Sequence, residues 1–522
     1  MNRSPTEGGG APTTQGYSRR AFLRMGGLAA ATLAAGCTSN AGTPNSKTPA
    51  SKTPHAGGPP TGSSTSSTSS TSSMPSAAAL PTDVAFPTDF WWGAATSAYQ
   101  IEGGATADGK GPSVWDTFAH LPGKIIDGST GDVAADHYHR YADDIALIAS
   151  VGLRSYRFSI SWPRVLPAGA GAVNQRGLDF YKRLLDGLHD RGVRPMPTLW
   201  HWDTPQALQD VGGWENRDVA SRFADYAALL AKELGDRVPI WLTLNEPKTV
   251  VQVGYLYGAH APGKRDAHAA YAAAHHLLLG HGLATQAIRA ERPSAKVGIP
   301  LNLTPVYPDD PTDPDAVAAA SARDGLENRF YLDAVLKGSY PGDVVQALAS
   351  QGVTLPVKDG DLKTAAAGVD VLGVNYYGPT VVGGGGNDVR KYPTSQATWE
   401  QIYPAGLRDM LSQVKQRHGD VTISITENGI PTTQNPDSDG VVDDTDRVEY
   451  LRTHLLALGQ AMSDGVRVEG YHLWSLMDNF EWAEGYTQRW GITRVDFDTL
   501  KRTPKRSAHW YSGVIAANRV TG

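Results

Sequence analysis

The chain of 522 residues is 40% hydrophobic and carries a formal net charge of −6, which gives enough apolar material for a large core and no excess of cations to hold a nucleic acid. Its single cysteine, Cys37, excludes an intrachain disulfide, and no Cys/His cluster has zinc-site spacing, so no metal and no cofactor is expected. The 13 tryptophans and 21 tyrosines serve equally well as core packing or as platforms for the apolar faces of sugar rings, and composition leaves both open.

In chain order, the first signal is Ser18-Arg19-Arg20-Ala21-Phe22-Leu23-Arg24, which reads as a twin-arginine export signal. The apolar stretch 25–35 that follows is about half the ~20 residues needed to span a bilayer and fits the hydrophobic region of a signal peptide. Leu33-Ala34-Ala35-Gly36-Cys37 then resembles a lipoprotein cleavage site, with Cys37 as the lipidation candidate, although the pattern prefers a larger aliphatic where Ala34 stands. Residues 1–37 are therefore expected to be an export signal, which places the protein outside the cytoplasm, with an anchor on the membrane if Cys37 is acylated. Residues 38–82 are Ser, Thr, Pro, Gly and Ala with almost no large apolar side chains; such a segment buries too little surface to offset chain entropy and is expected to be a disordered linker.

From residue 83 to 522, short β-rich runs alternate with amphipathic stretches, the pattern of βα units on a parallel sheet. Strands are predicted over 91–97, 155–160, 194–198, 240–244, 297–301, 371–374, 421–426 and 468–473, with helices such as 136–150 and 446–464 between them. Eight such units predict a single α/β domain, a (β/α)8 TIM barrel.

Polar and aromatic residues gather where each strand ends. Gln100 follows the first; Arg157 lies in the second; His201 and Trp202 follow the third; Asn245 and Glu246 follow the fourth. Asn302 follows the fifth, Asn375 and Tyr377 the sixth, Glu427 the seventh, and Trp474, Glu481 and Trp482 the eighth. In barrels that end carries the active site, so these scattered positions are expected to share one pocket. Amides, an imidazole, carboxylates and indoles suit a polyhydroxylated small molecule, and cleaving a glycosidic bond generally takes two flanking carboxylates. Each residue also has a plainer reading: a Glu after a strand is often a helix cap, His201 a satisfied structural histidine, Trp474 plain core, Asn375 a loop-backbone partner. The glycine and lysine of 104–110 approach a phosphate-binding loop but lack the following Ser or Thr, and Gly383–Gly386 read as a mobile loop near the pocket mouth.

The motifs Phe90-Trp91-Trp92-Gly93-Ala94-Ala95-Thr96-Ser97-Ala98-Tyr99-Gln100, Tyr156-Arg157-Phe158-Ser159-Ile160-Ser161-Trp162, Asn245-Glu246-Pro247, Thr426-Glu427-Asn428-Gly429 and Trp474-Ser475-Leu476-Met477-Asp478-Asn479-Phe480-Glu481-Trp482 resemble family 1 glycoside hydrolases, the β-glucosidase family, over essentially all of 83–522. The resemblance implies a retaining exo-β-glycosidase with Glu246 as acid/base and Glu427 as nucleophile, ~5–5.5 Å apart. It further implies that Arg157 and Tyr377 orient Glu427, that Asn245 binds the sugar 2-hydroxyl, and that Gln100, His201, Trp202, Asn375, Glu481 and Trp482 hold the non-reducing sugar above Trp474. Glu481, with Gln488 and Trp490 further on, departs from the phosphoglycosidase pattern and implies unphosphorylated β-glucosides, with β-galactosides or β-fucosides as further substrates. Lys248 stands where many relatives carry an aromatic, and with Asn302 and Trp399 it is a candidate for the aglycone site. Two rival readings remain at this stage: a transglycosylating β-glycosidase and a non-catalytic sugar-binding surface lipoprotein. The oligomeric state is not legible.

Overall fold

The computed structural model describes residues 80–433 and 435–521; the export signal, Cys37 and nearly all of the linker lie outside them. Eight strands close into a parallel barrel. They are β1 (Trp91–Ala95), β2 (Ser155–Ser159), β3 (Arg194–Trp200), β4 (Ile240–Leu244), β5 (Lys296–Asn302), β6 (Val371–Asn375), β7 (Ile423–Glu427) and β8 (Val468–Trp474), each hydrogen-bonded to its sequential neighbour and β8 to β1. The expected (β/α)8 barrel is therefore the observed architecture.

Alternation of side chains along each strand decides what fills the barrel and what meets the helices. On β2, Tyr156 and Phe158 face outward into the helical layer, while Ser155, Arg157 and Ser159 face inward. The outer layer is built from helices such as Gln175–Asp190, whose Leu178, Tyr181, Leu185 and Leu188 recur at helical spacing and are all buried. Inside, Met196, Ile240, Leu242 and Val371 pack with Trp91 into an apolar plug. His472 crosses from β8 over β1 to reach the Ser155 Oγ of β2 at 2.9 Å. That crossing requires Gly93: a Cβ there would lie 2.3 Å from the imidazole.

Several strand ends differ from the sequence expectation and matter for the site: Asn302, Asn375 and Trp474 are the last residues of β5, β6 and β8 and do not follow them. The first strand ends at Ala95, not Ser97, because Ser97 already stands at the N-terminal boundary of the short helix Ala98–Ile101 and donates its hydroxyl to Gln100 Oε1 at 2.6 Å. The seventh strand runs to Glu427 itself, and the β6–β7 register is irregular between Ile425 and Glu427. At the domain's two ends, Asp83–Ala85 pairs antiparallel with Arg519–Thr521, and the Asp83–Arg519 ion pair at 2.6 Å fastens them.

Candidate active site

Arg157 organises the C-terminal mouth of the barrel. Its guanidinium is fully buried and touches three other strands or their ends. It donates to Glu427 Oε1 at 2.6 Å, to the Thr426 carbonyl at 3.0 Å, to Asn245 Oδ1 at 2.6 Å and to Thr198 Oγ1 at 3.3 Å. The Tyr377 hydroxyl donates to the other Glu427 oxygen at 2.7 Å. Burial pushes the Glu427 carboxyl up to about 7, against the pull of Arg157 and with a push from Glu246; the tyrosine bond also lowers it.

Glu246 sits on the neighbouring flank. Its backbone is left-handed, φ 47°, at the turn from β4 into Pro247–Thr249, and its amide donates to the Pro300 carbonyl at 3.0 Å. A non-glycine residue in that region is a strained exception, held here by strand-to-strand bonds on both sides. Asn375 donates to Glu246 Oε1 at 2.6 Å and to Asn245 Oδ1 at 3.1 Å, and accepts from Thr426 Oγ1 at 2.6 Å. Thr249 donates to Glu246 Oε2 at 2.8 Å, and Asn302 approaches the same oxygen at 3.5 Å. The two carboxylates thus belong to one hydrogen-bonded frame running through Arg157, Asn245, Asn375 and Thr426.

The same frame fixes a tautomer. Arg157 can only donate, so the Asn245 atom facing it is the oxygen, and the Asn245 Nδ2 faces His201 Nε2 at 3.0 Å. Nε2 therefore accepts, and the ring proton sits on Nδ1, which has no partner among the described residues. Burial, reinforced by Arg157, holds this imidazole well below its ordinary range and so neutral. A buried neutral N–H without an acceptor suits a ligand hydroxyl.

The remaining residues form a wall. Gln100 donates to Asn479 Oδ1 at 2.9 Å, to the Phe480 carbonyl at 3.0 Å and to Glu481 Oε2 at 3.2 Å, so the loops after β1 and β8 are locked together. Trp202, φ 76°, donates its indole N–H to the Asn245 carbonyl at 2.9 Å and packs on Trp482, φ 48°, with ring centres 4.6 Å apart. Trp474 lies alongside His201 at 5.9 Å. Burial and the charges of Glu427 and Glu484 push the Glu481 carboxyl up to about 8.

All the sequence-predicted sugar-site residues are thus gathered at one mouth. Trp399 is at its rim, 52% exposed, and its ring contacts are with Tyr377 at 5.9 Å and Trp490 at 6.2 Å. Lys248 is buried beside Glu327 at 3.9 Å. Sequence reasoning missed Thr198, Thr249, Thr426 and Asn479, which hold the site residues without lying at motif centres; only Asn479 and Thr426 stand inside quoted motifs. Among the described residues no group of His, Cys, Asp and Glu is arranged to hold a metal ion. A cavity of about 560 Å³ opens at the opposite end of the barrel, around Arg194, Arg237 and Arg292, and shares no residue with the site.

Comparison with known proteins shows the family. Residues 82–520 match Glycosyl hydrolase family 1. The chain belongs to that family. It is 45% identical to Beta-glucosidase A of Acetivibrio thermocellus over 82% of this chain and 98% of the relative. It is 42% identical to the bifunctional beta-D-glucosidase/beta-D-fucosidase of Bifidobacterium breve, over 82% of this chain and 97% of the relative. Among solved structures, the β-glucosidase from Thermotoga maritima in complex with glucoimidazole superposes with a TM-score of 0.80 at 42% identity, over 83% of this chain and 99% of that one.

A carboxyl raised on folding binds its proton more tightly in the folded state, so its contribution favours the folded state below the unfolded value and is lost as pH rises to the folded value. For Glu481 that window runs from about 4.5 to about 8. Glu481→Gln keeps the acceptor for Gln100 and removes the charge. Thermal unfolding of the variant should therefore fall less than wild type between pH 5 and pH 8; an equal fall would show that Glu481 is not desolvated as described.

Proposed function

We propose that the protein is a retaining exo-β-glycosidase, a β-glucosidase that releases terminal unphosphorylated β-D-glucosyl residues and also accepts β-fucosyl or β-galactosyl groups. The observation that carries this reading is the division of labour between the two carboxyls. Glu427 is clamped from both oxygens by Arg157 and Tyr377, whereas Glu246 is bonded by the neutral Asn375 and Thr249. Family membership and relatives named for β-glucosidase and β-fucosidase activity support it.

In this reading Glu427 attacks the anomeric carbon as Glu246 protonates the glycosidic oxygen; the carbon–oxygen bond to the aglycone breaks as the bond to the Glu427 carboxylate forms. Water, deprotonated by Glu246, then displaces Glu427, and two inversions give net retention. Arg157 and Tyr377 keep the nucleophile charged and aimed in spite of its burial. Asn245, His201, Gln100, Glu481, Trp202, Trp482 and Trp474 hold the sugar, with the His201 Nδ1–H as a donor and the Glu481 carboxyl, raised by burial and so largely protonated near neutral pH, as a hydrogen-bonding partner for its hydroxyls. The natural ligand is a small β-glycoside, and the chemistry asks for no metal or cofactor.

Two tests follow from this reading. Wild type should hydrolyse an aryl β-glucoside, with kcat/KM falling as pH drops through about 7, because the attacking Glu427 must be ionised. Tyr377→Phe removes a bond that lowers that carboxyl, so the acid limb should move to higher pH. No turnover by wild type would sink the enzyme reading, and an unmoved limb would remove Tyr377 from its role. From its sequence, we also propose export by the twin-arginine route and anchoring through a lipidated Cys37. Cys37→Ala should then release the protein from the membrane fraction; unchanged retention would contradict the anchor.

A further inference from the structure

The loop that leaves β8 at Trp474 and carries Glu481 is tied at two places. Gln100 holds it from the loop after β1, through Asn479, the Phe480 carbonyl and Glu481 itself. The second tie is Asp478, a fully buried carboxylate in the same loop. Its Oδ1 accepts from Lys505 Nζ at 2.7 Å and from the Gly491 amide at 3.0 Å. Its Oδ2 accepts from Arg489 Nη1 at 3.3 Å and from the Val495 amide at 3.4 Å. The chain approaches closely there: a Cβ on Gly491 would stand 2.1 Å from the Asp478 nitrogen.

Lys505 belongs to the C-terminal segment, at the N-terminal boundary of the helix Arg506–Ala517, and its own amide donates to the Ile492 carbonyl at 2.8 Å. The same segment reaches the loop after β7. Ser507 donates to Asp444 from its amide at 2.8 Å and from its hydroxyl at 2.6 Å, and Asp444 accepts from Arg447. Arg447 donates in turn to the Ile430 carbonyl at 3.2 Å and the Arg489 carbonyl at 2.7 Å. Lys505, Arg489 and Arg447 are thus interleaved with Asp478 and Asp444 in one row behind two loops of the pocket. Burial pushes the Lys505 ammonium down to about 8, against the pull of Asp478 and with a push from Arg447. A pair desolvated this far adds little net stability over well-packed apolar side chains. Such side chains would not supply a carboxylate that draws two charged donors and two amides to one point in the loop.

We infer that Lys505 and Asp478 are positioning residues of the sugar site: their buried ion pair fastens the loop 475–482 to the C-terminal segment and so sets the reach of Glu481 to the bound sugar. This rests on the reading of Glu481 as a hydrogen-bonding partner of that sugar. Neither residue touches the sugar. Both act through the loop backbone, with Gln100 opposing them on the side of β1.

The test measures KM and kcat on 4-nitrophenyl β-glucoside, Ki for D-glucono-1,5-lactone, which carries the hydroxyls of glucose, and thermal unfolding. Ki does not depend on how much of the enzyme is folded, so a merely structural role leaves it unmoved. Lys505→Met should raise Ki about ten-fold, and KM with it, as expected when a contact is misplaced by a distant change. Glu481→Ala should raise Ki by itself. In that background Lys505→Met should add about two-fold or less, because the contact it acts through is already gone. An unchanged Ki in Lys505→Met, with loss only of kcat or of thermal stability, would overturn the proposal and leave Lys505 as a structural cation. An equal rise with and without the Glu481 side chain would overturn it too, since the pair would then act elsewhere. If Lys505→Met does not fold, Asp478→Asn, which keeps an oxygen for the Gly491 amide, carries the same comparison, and an unchanged Ki contradicts the proposal. Wild type inactive on the glucoside would instead overturn the glycosidase reading, and a wild-type Ki in Glu481→Ala would remove Glu481 from the sugar; either takes this inference with it.

Discussion

A guanidinium sealed inside a barrel is costly unless something meets every one of its donors. Arg157 is such a group, and the mouth of this barrel is arranged around meeting it: Glu427 and the Thr426 carbonyl from β7, Asn245 at the end of β4, Thr198 from β3. Replacing the whole set with well-packed apolar residues would in general cost little stability, so the set is better understood as positioning than as glue. Because Arg157 can only donate, it dictates which way Asn245 turns, hence which nitrogen of His201 carries its proton. Because it is cationic, it holds Glu427 down against burial. Glu246 joins the frame through Asn375, which is bonded to both Asn245 and Thr426. One buried charge thus sets the state of a carboxylate, an amide and an imidazole.

The second constraint is electrostatic crowding. Glu246, Glu427 and Glu481 open into one pocket, and two of them are pushed up, to about 7 and about 8. Such carboxyls are poor for stability near neutral pH and useful for chemistry, the usual exchange at a functional site. The strained backbones of Trp202, Glu246 and Trp482 belong to the same exchange: each turns sharply where its strand or loop reaches the mouth.

What the sequence made legible follows from this. The strand Ile240–Leu244 is buried along its whole length, so its mostly apolar run marked it to the residue. The ends were less legible, because polar residues there serve the site and not the strand: Glu427 belongs to β7 by hydrogen bonding, though its chemistry placed it in the loop. The sugar-site residues were visible in motifs or, as for His201, Trp202, Asn375 and Tyr377, in their place at the ends of strands. The bonds of the threonines that hold them were not: Thr198 and Thr426 lie in β-rich runs and read as β-propensity, and Thr249 lies in the turn after Pro247, so each reveals its partner only in three dimensions. Gly93 was quoted within a motif, yet its reason, the crossing imidazole of His472, joins positions nearly four hundred residues apart. Gly383–Gly386 read as a mobile loop; in the structure Gly386 donates to the Gly383 carbonyl at 2.8 Å and accepts from Arg323 at 3.4 Å.

The central claim is that Glu427 is the group displaced twice at the anomeric carbon. Glu427→Ala leaves a small space on the face opposite the aglycone, which an external azide can enter. The account predicts that the variant loses nearly all turnover of an aryl β-glucoside, by about 10⁴-fold or more. Sodium azide should restore turnover and yield the α-glucosyl azide, a single inversion from the β-substrate. Undiminished turnover without azide, or a rescued product of β configuration, would contradict it.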